Sequence, residues 1–299
     1  MKLTKKIWLD GRLVDWKDAK VHVLVNALHY GSAVFEGIRC YKTDRGGVVF
    51  RLSEHIDRLS YSASCLGIKT PFSKDQISKA ILNLIRANGV EECYIRPLIF
   101  CGYGSLGLDI SKSPINVAIA TWPWAVYLGD KELSAVISSY KRLSSGSVPI
   151  DAKVSGYYAN SIIASAEARK KSADEAILLD DNGSVAEGAG ENIFIVKNGN
   201  VYTPTKGAIL PGITRDSVIQ IARDKGIKVI EKKISIKELK NADETFFTGT
   251  AVGVCSVVKI NGREIGKGTS GPVSIKIKEE YNKIVRGQNQ KYKKWLTYV

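Results

Sequence analysis

Apolar positions along this chain follow two periods, and the changes between them mark its elements. Alternation by two is the signature of a strand with one buried face, and apolar residues three and four apart mark an amphipathic helix. IWLDGRLVDW, residues 7–16, has an Asp-Gly pair between apolar runs and predicts a β-hairpin. SAVFEGIRCY and GVVFRL continue as strands about the turn DRGG. From residue 53 the spacing is helical: SEHIDRLSYSASCLGI begins at Ser53 as N-cap, and SKDQISKAILNLIRANG opens with a capping box of Ser73 and Gln76. CYIRPLIF and INVAIATW return to strand.

The pattern loosens around PWAVYLGDKEL, and a second series follows. It predicts a strand at SAVISSYKRL, a helix at ANSIIASAEARKKS, and hairpins at EAILLDDNGSVAEG and NIFIVKNGNVYTP turning at D-N-G and K-N-G-N. A helix after PGITRD, strands at ETFFTGT and CSVVKINGREI, and a helix from about Gly271 complete it. Two units are expected, a small α/β domain over 1–127 and a larger one over 128–299 that carries the candidate lysine described below. The fold class is α/β, of the α+β kind.

With 299 residues, 44% hydrophobic and 25% charged, the composition is that of a globular protein able to bury a core in each domain. No apolar run reaches the roughly 18 residues of a membrane span, and MKLTKKIWLDGRL lacks a signal peptide's apolar centre, so the expected location is cytoplasmic, with no membrane partner. Five scattered cysteines without a C-x-x-C pair predict reduced, packed thiols. His22, His29 and His55 have no ligand spacing and are expected to pack or hydrogen-bond; no metal is expected. A formal charge of +14 would suit a polyanion partner, but the cations are spread among acidic residues and KYKKW is the densest patch. No nucleic acid is expected.

GYGSLG, Gly102 to Gly107, matches G-x-G-x-x-G but leads into LDISKSP rather than a helix that could hold a pyrophosphate, so it is expected to be a substrate loop. REIGKGT lacks P-loop spacing, and Asn182-Gly-Ser is expected to be a hairpin turn.

Lys153, in IDAKVSGYYANS, sits in a loop before a helix. A lone lysine is a surface residue by default; its company is what singles it out. A lysine linked to pyridoxal phosphate needs a carboxylate near the ring nitrogen, a phenol near the ring hydroxyl and donors for the phosphate. SVAEGAGENIF supplies Glu187 and Glu191 among glycines that let backbone approach a flat ring, and LPGITRD starts a helix whose first amides, near Ile213 and Thr214, suit phosphate. Thr214 could equally cap that helix.

In order along the chain, HYGSAVFEGIRCY, EHIDRL, YIRPLIF, AKVSGYYANS, SAEARKK, VAEGAGENIF, LPGITRD and FFTGTA resemble the branched-chain-amino-acid aminotransferases. These are pyridoxal-phosphate enzymes of the two-domain class IV fold shared with D-amino-acid aminotransferase and aminodeoxychorismate lyase. The resemblance implies that Lys153 links to the cofactor and shuttles the proton between substrate Cα and the cofactor. It places Tyr158 on the ring hydroxyl, Glu187 on the ring nitrogen, Leu210 against the ring, and Arg58, Ile213, Thr214 and Thr250 on the phosphate. Arg58 could otherwise pair with Glu54 one turn away on a helix surface.

For the substrate, the resemblance implies that Thr250, Ala251 and Tyr94 hold the α-carboxylate and that Tyr30, Phe35, Gly37, Trp124 and Tyr127 wall the side-chain pocket. Arg96, with the Tyr30 and Tyr127 hydroxyls, would take the second carboxylate of glutamate; the Tyr-x-Arg spacing puts Tyr94 and Arg96 on one strand face. The implied reaction moves an amino group between leucine, isoleucine or valine and 2-oxoglutarate in a ping-pong cycle. The implied assembly is at least a homodimer, with Tyr30 and the loop near 103–108 completing the neighbour's site. The alternatives on the same fold are a D-amino-acid or (R)-amine transaminase and an aminodeoxychorismate lyase; outside it, a basic nucleic-acid-binding protein. The chain departs from the usual family pattern at VGVC, Val252 to Cys255, and over Gly102 to Asp109.

Overall fold

The computed structural model describes residues 4–124 and 131–299, and the chain's contacts divide it into two units. The first comprises Met1–Ala125, Ala152–Tyr157 and Ile284–Val299; the second comprises Val126–Asp151 and Tyr158–Lys283. Lys153 therefore belongs with the first unit, not with the second as its sequence position suggests. The reason is pairing: Val34 bridges Val154, and Phe35 N–H donates to the Lys153 carbonyl at 3.2 Å. The last residues join the first unit likewise, because Leu296–Tyr298 adds a strand beside Gly46–Phe50.

In the first unit the strands run in the order Leu296–Tyr298, Gly46–Phe50, Ile38–Thr43, Cys93–Cys101, Ile115–Trp122, Lys6–Leu9 and Arg12–Asp15, and Ala33–Phe35 also pairs with Cys93–Cys101. The expected Asp-Gly hairpin forms, with Asp10 and Gly11 at φ 47° and 93°, the left-handed pair that a two-residue turn between twisted strands requires. Helix α1 (Asn26–Tyr30) is short; α2 (Leu52–Cys65) and α3 (Lys74–Asn88) cover one face of the sheet. Their Ile56, Leu59, Ile81 and Leu84 pack with Cys93, Ile95, Ile99 and Cys101, four of the five odd-numbered residues of the central strand. By the alternation of a strand, Tyr94 and Arg96 project to the other face, as the spacing predicts.

The Ser73 and Gln76 capping box is present on α3. The N-cap of α2, however, is Arg51 and not Ser53. Arg51 has a left-handed φ of 52° and donates its N–H to the Trp295 carbonyl at 2.6 Å, while its side chain bonds Glu54 and lies over the Trp295 ring. Docking of the C-terminal segment thus starts the helix ahead of the polar signal.

In the second unit six strands close into a ring: Leu133–Lys141, Glu175–Leu179, Val185–Gly188, Asn192–Lys197, Glu244–Gly249 and Gly253–Ile260, which pairs back to the first. Asn200–Thr203 and Val229–Glu231 extend it, and Arg263–Glu264 pairs with Gly253–Ile260. Both predicted hairpins form, one of them turning at Asn198 and Gly199 with φ 51° and 74°. The Asn182-Gly-Ser segment is the other turn, with Asp180 Oδ1 accepting from the Asn182 and Ser184 amides. Helices α4 (Tyr158–Lys170), α5 (Ile213–Asp224), α6 (Ile236–Lys240) and α7 (Pro272–Val285) follow in chain order, the last ending within the first unit's residues. The strand at Val229–Glu231 and α6, with its Ser235 and Glu238 capping box, are additions to the sequence reading. Ile177, Ile193, Ile195, Phe247 and Val257 form the core associated with the ring.

The cysteines are free, with Cys40, Cys93, Cys101 and Cys255 buried, and among the described residues no helix is long and apolar enough to cross a membrane. Residues 102–114 contain no helix, so GYGSLG does not form a dinucleotide-binding turn.

Ile81 is fully buried against the sheet, whereas Ser73 contributes only a cap. Ile81→Ala is expected to lower unfolding free energy by about 2–5 kcal/mol and Ser73→Ala by about 1 kcal/mol, measured by urea denaturation; equal effects would contradict this placement of the core.

Candidate active site

In the first unit, Lys153 is fixed through its backbone. Its N–H donates to Ser62 Oγ at 2.8 Å, one turn along α2 from Arg58, and its carbonyl is held by Phe35. The Lys153 Nζ lies 5.0 Å from the centre of the Phe35 ring. Arg96 lies 4.6 Å from the centre of that same ring, 5.3 Å from the Tyr94 ring and 5.9 Å from the Trp122 ring. Arg96 Nη2 also donates to the Tyr94 hydroxyl at 3.3 Å. Tyr94 in turn packs on Trp122 and Trp124, with ring centres 5.0 and 4.6 Å apart.

Gly37 is what lets Tyr94 sit there. A Cβ at position 37 would fall 2.0 Å from the Tyr94 hydroxyl oxygen, so any side chain would displace the phenol. Thus Lys153, Phe35, Gly37, Tyr94, Arg96 and Trp124 are brought together within one unit. Tyr127 lies outside the described residues. Tyr30 lines another cavity of about 470 Å³ with Gly31, Gly107, Leu108, Val154 and Tyr157. Tyr157 packs against the first unit's core.

Arg58 does not pair with Glu54, which is bound to Arg51 instead. It donates from Nε and Nη2 to the two oxygens of Glu36, at 2.6 and 2.9 Å, and His55 Nδ1 is 2.7 Å from Glu36 Oε2. Glu36 is fully buried. Burial raises its pKa, but the Arg58 charge and the hydrogen bonds from both partners outweigh this and hold the carboxyl well below its usual range. For His55 burial dominates, and with the Arg58 and Lys153 charges it pushes the pKa down against the pull of Glu36. A carboxylate can only accept, so the His55 Nδ1–H is the donor. Sequence reasoning missed Glu36 and assigned His55 only a generic role. An acid inside the apolar run SAVFEGIRCY was the available signal, since a buried charge needs a partner.

In the second unit, Glu187 is buried and held by N–H donors on both of its oxygens. Arg142 Nε donates to its Oε1 at 2.5 Å, Asn192 Nδ2 to its Oε2 at 3.0 Å, and the Leu210 amide lies 3.3 and 3.1 Å from the two oxygens. Asn192 also donates to the Leu210 carbonyl at 2.9 Å, tying the LPG segment to the strand. Gly212 permits this approach: a Cβ there would lie 1.9 Å from Asn192 Oδ1. Of the two candidate carboxylates only Glu187 is paired with Arg142; Glu191 accepts from the Gly190 amide within its own turn. Arg142 and Asn192 were not anticipated: Arg142 lies 45 residues from Glu187, and Asn192 reaches it across paired strands.

Gly212 is the N-cap of α5 and makes no side-chain cap hydrogen bond; Ile213 and Thr214 are buried in the first turn, so Thr214 is not the cap. Thr250 and Ala251 lie in the short connection closed by the Gly249 and Gly253 pair. Tyr158 begins α4.

These residues fit pyridoxal phosphate. Glu187 is a buried anion in fixed orientation, able to keep a ring nitrogen protonated. A twelve-residue helix starting at a glycine offers backbone N–H groups and the positive end of its dipole to a phosphate. In the first unit, Lys153 is an amine that could link to the cofactor, and Arg58 a cation bonded to Glu36.

The model of the amino-transferase class IV family matches residues 33–260. A branched-chain-amino-acid aminotransferase of Pseudomonas aeruginosa is 44% identical over 297 residues, covering 98% of this chain and 97% of the relative. Among solved structures, the T.th. branched-chain amino acid aminotransferase complexed with N-(5'-phosphopyridoxyl)-L-glutamate is 43% identical, with a TM-score of 0.96 over 100% of this chain and 99% of that one. The branched-chain aminotransferase of Thermoproteus uzoniensis with norvaline is 44% identical, with a TM-score of 0.95 over 98% and 99%. The family motifs and the full-length likeness agree, and the chain belongs to the class IV aminotransferases, in the group of the branched-chain-amino-acid aminotransferases.

Proposed function

We propose that this protein transfers the amino group between L-leucine, L-isoleucine or L-valine and 2-oxoglutarate, with pyridoxal 5'-phosphate as cofactor. One observation carries the reading: Lys153 Nζ and the Arg96 guanidinium lie 5.0 and 4.6 Å from the centre of one aromatic ring, that of Phe35. A reacting amine and a cation sharing such a wall suit both an apolar side chain and the second carboxylate of glutamate. The ligands of the similar structures, a phosphopyridoxyl-glutamate and norvaline, include both kinds of side chain.

When bound, pyridoxal phosphate links to Lys153, accepts the electron pair released at Cα and carries the amino group between the two half-reactions. In this reading Arg58, Ile213, Thr214 and Thr250 hold the phosphate, Tyr158 the ring hydroxyl, Glu187 the ring nitrogen, and Leu210 packs on the ring. With the cofactor held there, the Lys153 Nζ amine would serve as the base that takes the proton from the substrate Cα. Tyr94, Thr250 and Ala251 bind the α-carboxylate. Phe35, Gly37, Trp124, Tyr30 and Tyr127 shape the side-chain pocket, where branched aliphatic groups are selected by apolar burial at about 1–3 kcal/mol per methylene.

The reading includes a homodimer. Val23, Leu28 and Leu108 are 65%, 67% and 85% exposed, and Asn26 donates to the Ser105 and Gly107 carbonyls, joining α1 and the glycine-rich loop into one apolar surface. Scattered exposed residues need no explanation, but a contiguous group invites a partner. A second copy would cover it and place Tyr30 at the neighbouring site. Five free thiols fit a reducing compartment, and we place the enzyme in the cytoplasm.

Lys153→Ala is expected to lower turnover at least about a hundredfold. In the wild type, L-leucine and L-glutamate should each discharge the visible absorbance of the yellow holoenzyme while D-alanine leaves it; the reverse pattern would overturn the branched-chain reading. Arg96→Leu is expected to cut kcat/KM for 2-oxoglutarate about tenfold to a hundredfold, the loss of one charge-assisted interaction. The leucine half-reaction should change far less, and single-turnover kinetics separate the two. Replacing Leu28 and Leu108 together by Asp should yield monomers of low activity by sedimentation velocity; an unchanged sedimentation coefficient would reject this surface as the dimer contact.

A further inference from the structure

The group around Glu36 calls for a role of its own. A carboxylate removed from water carries a desolvation cost that even a good ion pair only roughly offsets, so stability gives little reason to place it there. Geometry gives a better one. Arg58 is bound in a fork, through Nε at 2.6 Å and Nη2 at 2.9 Å. Two parallel bonds to a planar guanidinium fix its plane, whereas a single contact would leave it free to rotate. The direction in which Nη1 points is then set by Glu36.

The carboxylate is fixed in turn by His55, whose Nδ1 lies 2.7 Å from Oε2. His55 and Arg58 sit three residues apart on the same face of α2, and both reach one acid on the neighbouring strand segment. The acid is fully buried and His55 is 2% exposed, so neither group faces a competing solvent contact. Ser62, one turn further along α2, anchors the Lys153 amide at 2.8 Å. A single helix face thus holds the proposed phosphate cation and the backbone of the reactive lysine.

We propose that Glu36 and His55 are positioning residues for cofactor binding: Glu36 orients the Arg58 guanidinium toward the phosphate, and the His55 Nδ1–H holds Glu36 in that orientation. Neither residue touches the reacting atoms. The inference rests on the reading that Arg58 binds the phosphate, and the two can be tested apart.

The measurement compares pyridoxal phosphate with pyridoxal, which lacks the phosphate, binding to the full chain stripped of cofactor. Dissociation constants come from the visible absorbance of the bound aldehyde, and the ratio of the two reports the phosphate contribution alone. Glu36→Gln keeps the size of the side chain and removes the charge. It is expected to weaken pyridoxal phosphate binding about tenfold to a hundredfold, the range seen when the group behind a metal ligand is removed, while leaving pyridoxal binding within about threefold of wild type. In an Arg58→Ala background the same change should have no further effect on the ratio. Equal weakening of both ligands by Glu36→Gln would show a merely structural role and overturn the proposal. If Arg58→Ala itself leaves the ratio unchanged, the phosphate reading fails; if Arg58→Ala lowers it and Glu36→Gln does not, only the positioning role fails. Should Glu36→Gln not fold, His55 carries the test. His55→Asn retains a neutral donor and should keep the wild-type ratio, whereas His55→Leu should reduce it; identical ratios in the two would reject the assignment.

Discussion

A carboxylate taken out of water must meet its counter-charge at a fixed place, and each unit of this protein is organised around one such meeting. In the first, Glu36 receives Arg58 and His55; in the second, Glu187 receives Arg142, Asn192 and the Leu210 amide. An isolated buried carboxylate would cost several kcal/mol, and removal of any one donor would leave part of that cost exposed. The chain around each acid is correspondingly constrained. Strand Ala33–Phe35 must deliver Glu36 to α2, and the LPG segment must approach closely enough for its amide to reach Glu187, which Gly212 allows.

Strand alternation then divides stability from chemistry with little interference between them. Along Cys93–Cys101, residues 93, 95, 99 and 101 enter the core under α2 and α3, while Tyr94 and Arg96 face the aromatic wall of Phe35, Trp122 and Trp124. A register slip of one residue would bury Arg96 among leucines and isoleucines and expose Ile95, so the core itself specifies which side chains the site receives. Apolar packing is nondirectional, but the pleat converts it into a directional rule.

What could be read from the sequence follows the range of each interaction. Capping boxes, Asn-Gly turns and the Tyr-x-Arg face are local, decided within four residues, and those predicted appear as expected. The motif order brought Lys153, Glu187 and the LPG helix start into view because those residues occur in fixed local contexts. Interactions between distant residues were not legible. Arg51 caps α2 only because Trp295 docks against it, and Arg58 chooses Glu36, 22 positions away, over the Glu54 beside it. Arg142 finds Glu187 at a separation of 45. The same long-range pairing moves 152–157 and the C-terminal strand into the first unit, where a linear division of the chain could not place them.

In the proposed reaction, Arg96 is the residue through which one pocket would serve two unlike substrates. Its guanidinium is surrounded by the faces of Phe35, Tyr94 and Trp122 and donates one bond to a phenol; its Nε is buried with no hydrogen-bond partner among the described residues. Aromatic faces stabilise a cation by about 0.5–2 kcal/mol, less than a carboxylate partner would. A cation locked to an acid, as Arg58 is, would have to break that pair before it could receive a substrate. Among the described residues Arg96 has no such bond to break: an aliphatic side chain can lie along the same rings and leave the cation to them, and a glutamate side chain can bring the stronger partner. In the proposed reaction both amino acids must use the site in alternate halves of each cycle. The contrast between a clamped Arg58 and a ring-held Arg96 therefore matches the difference, in the proposed reading, between a cofactor group that stays and substrates that exchange.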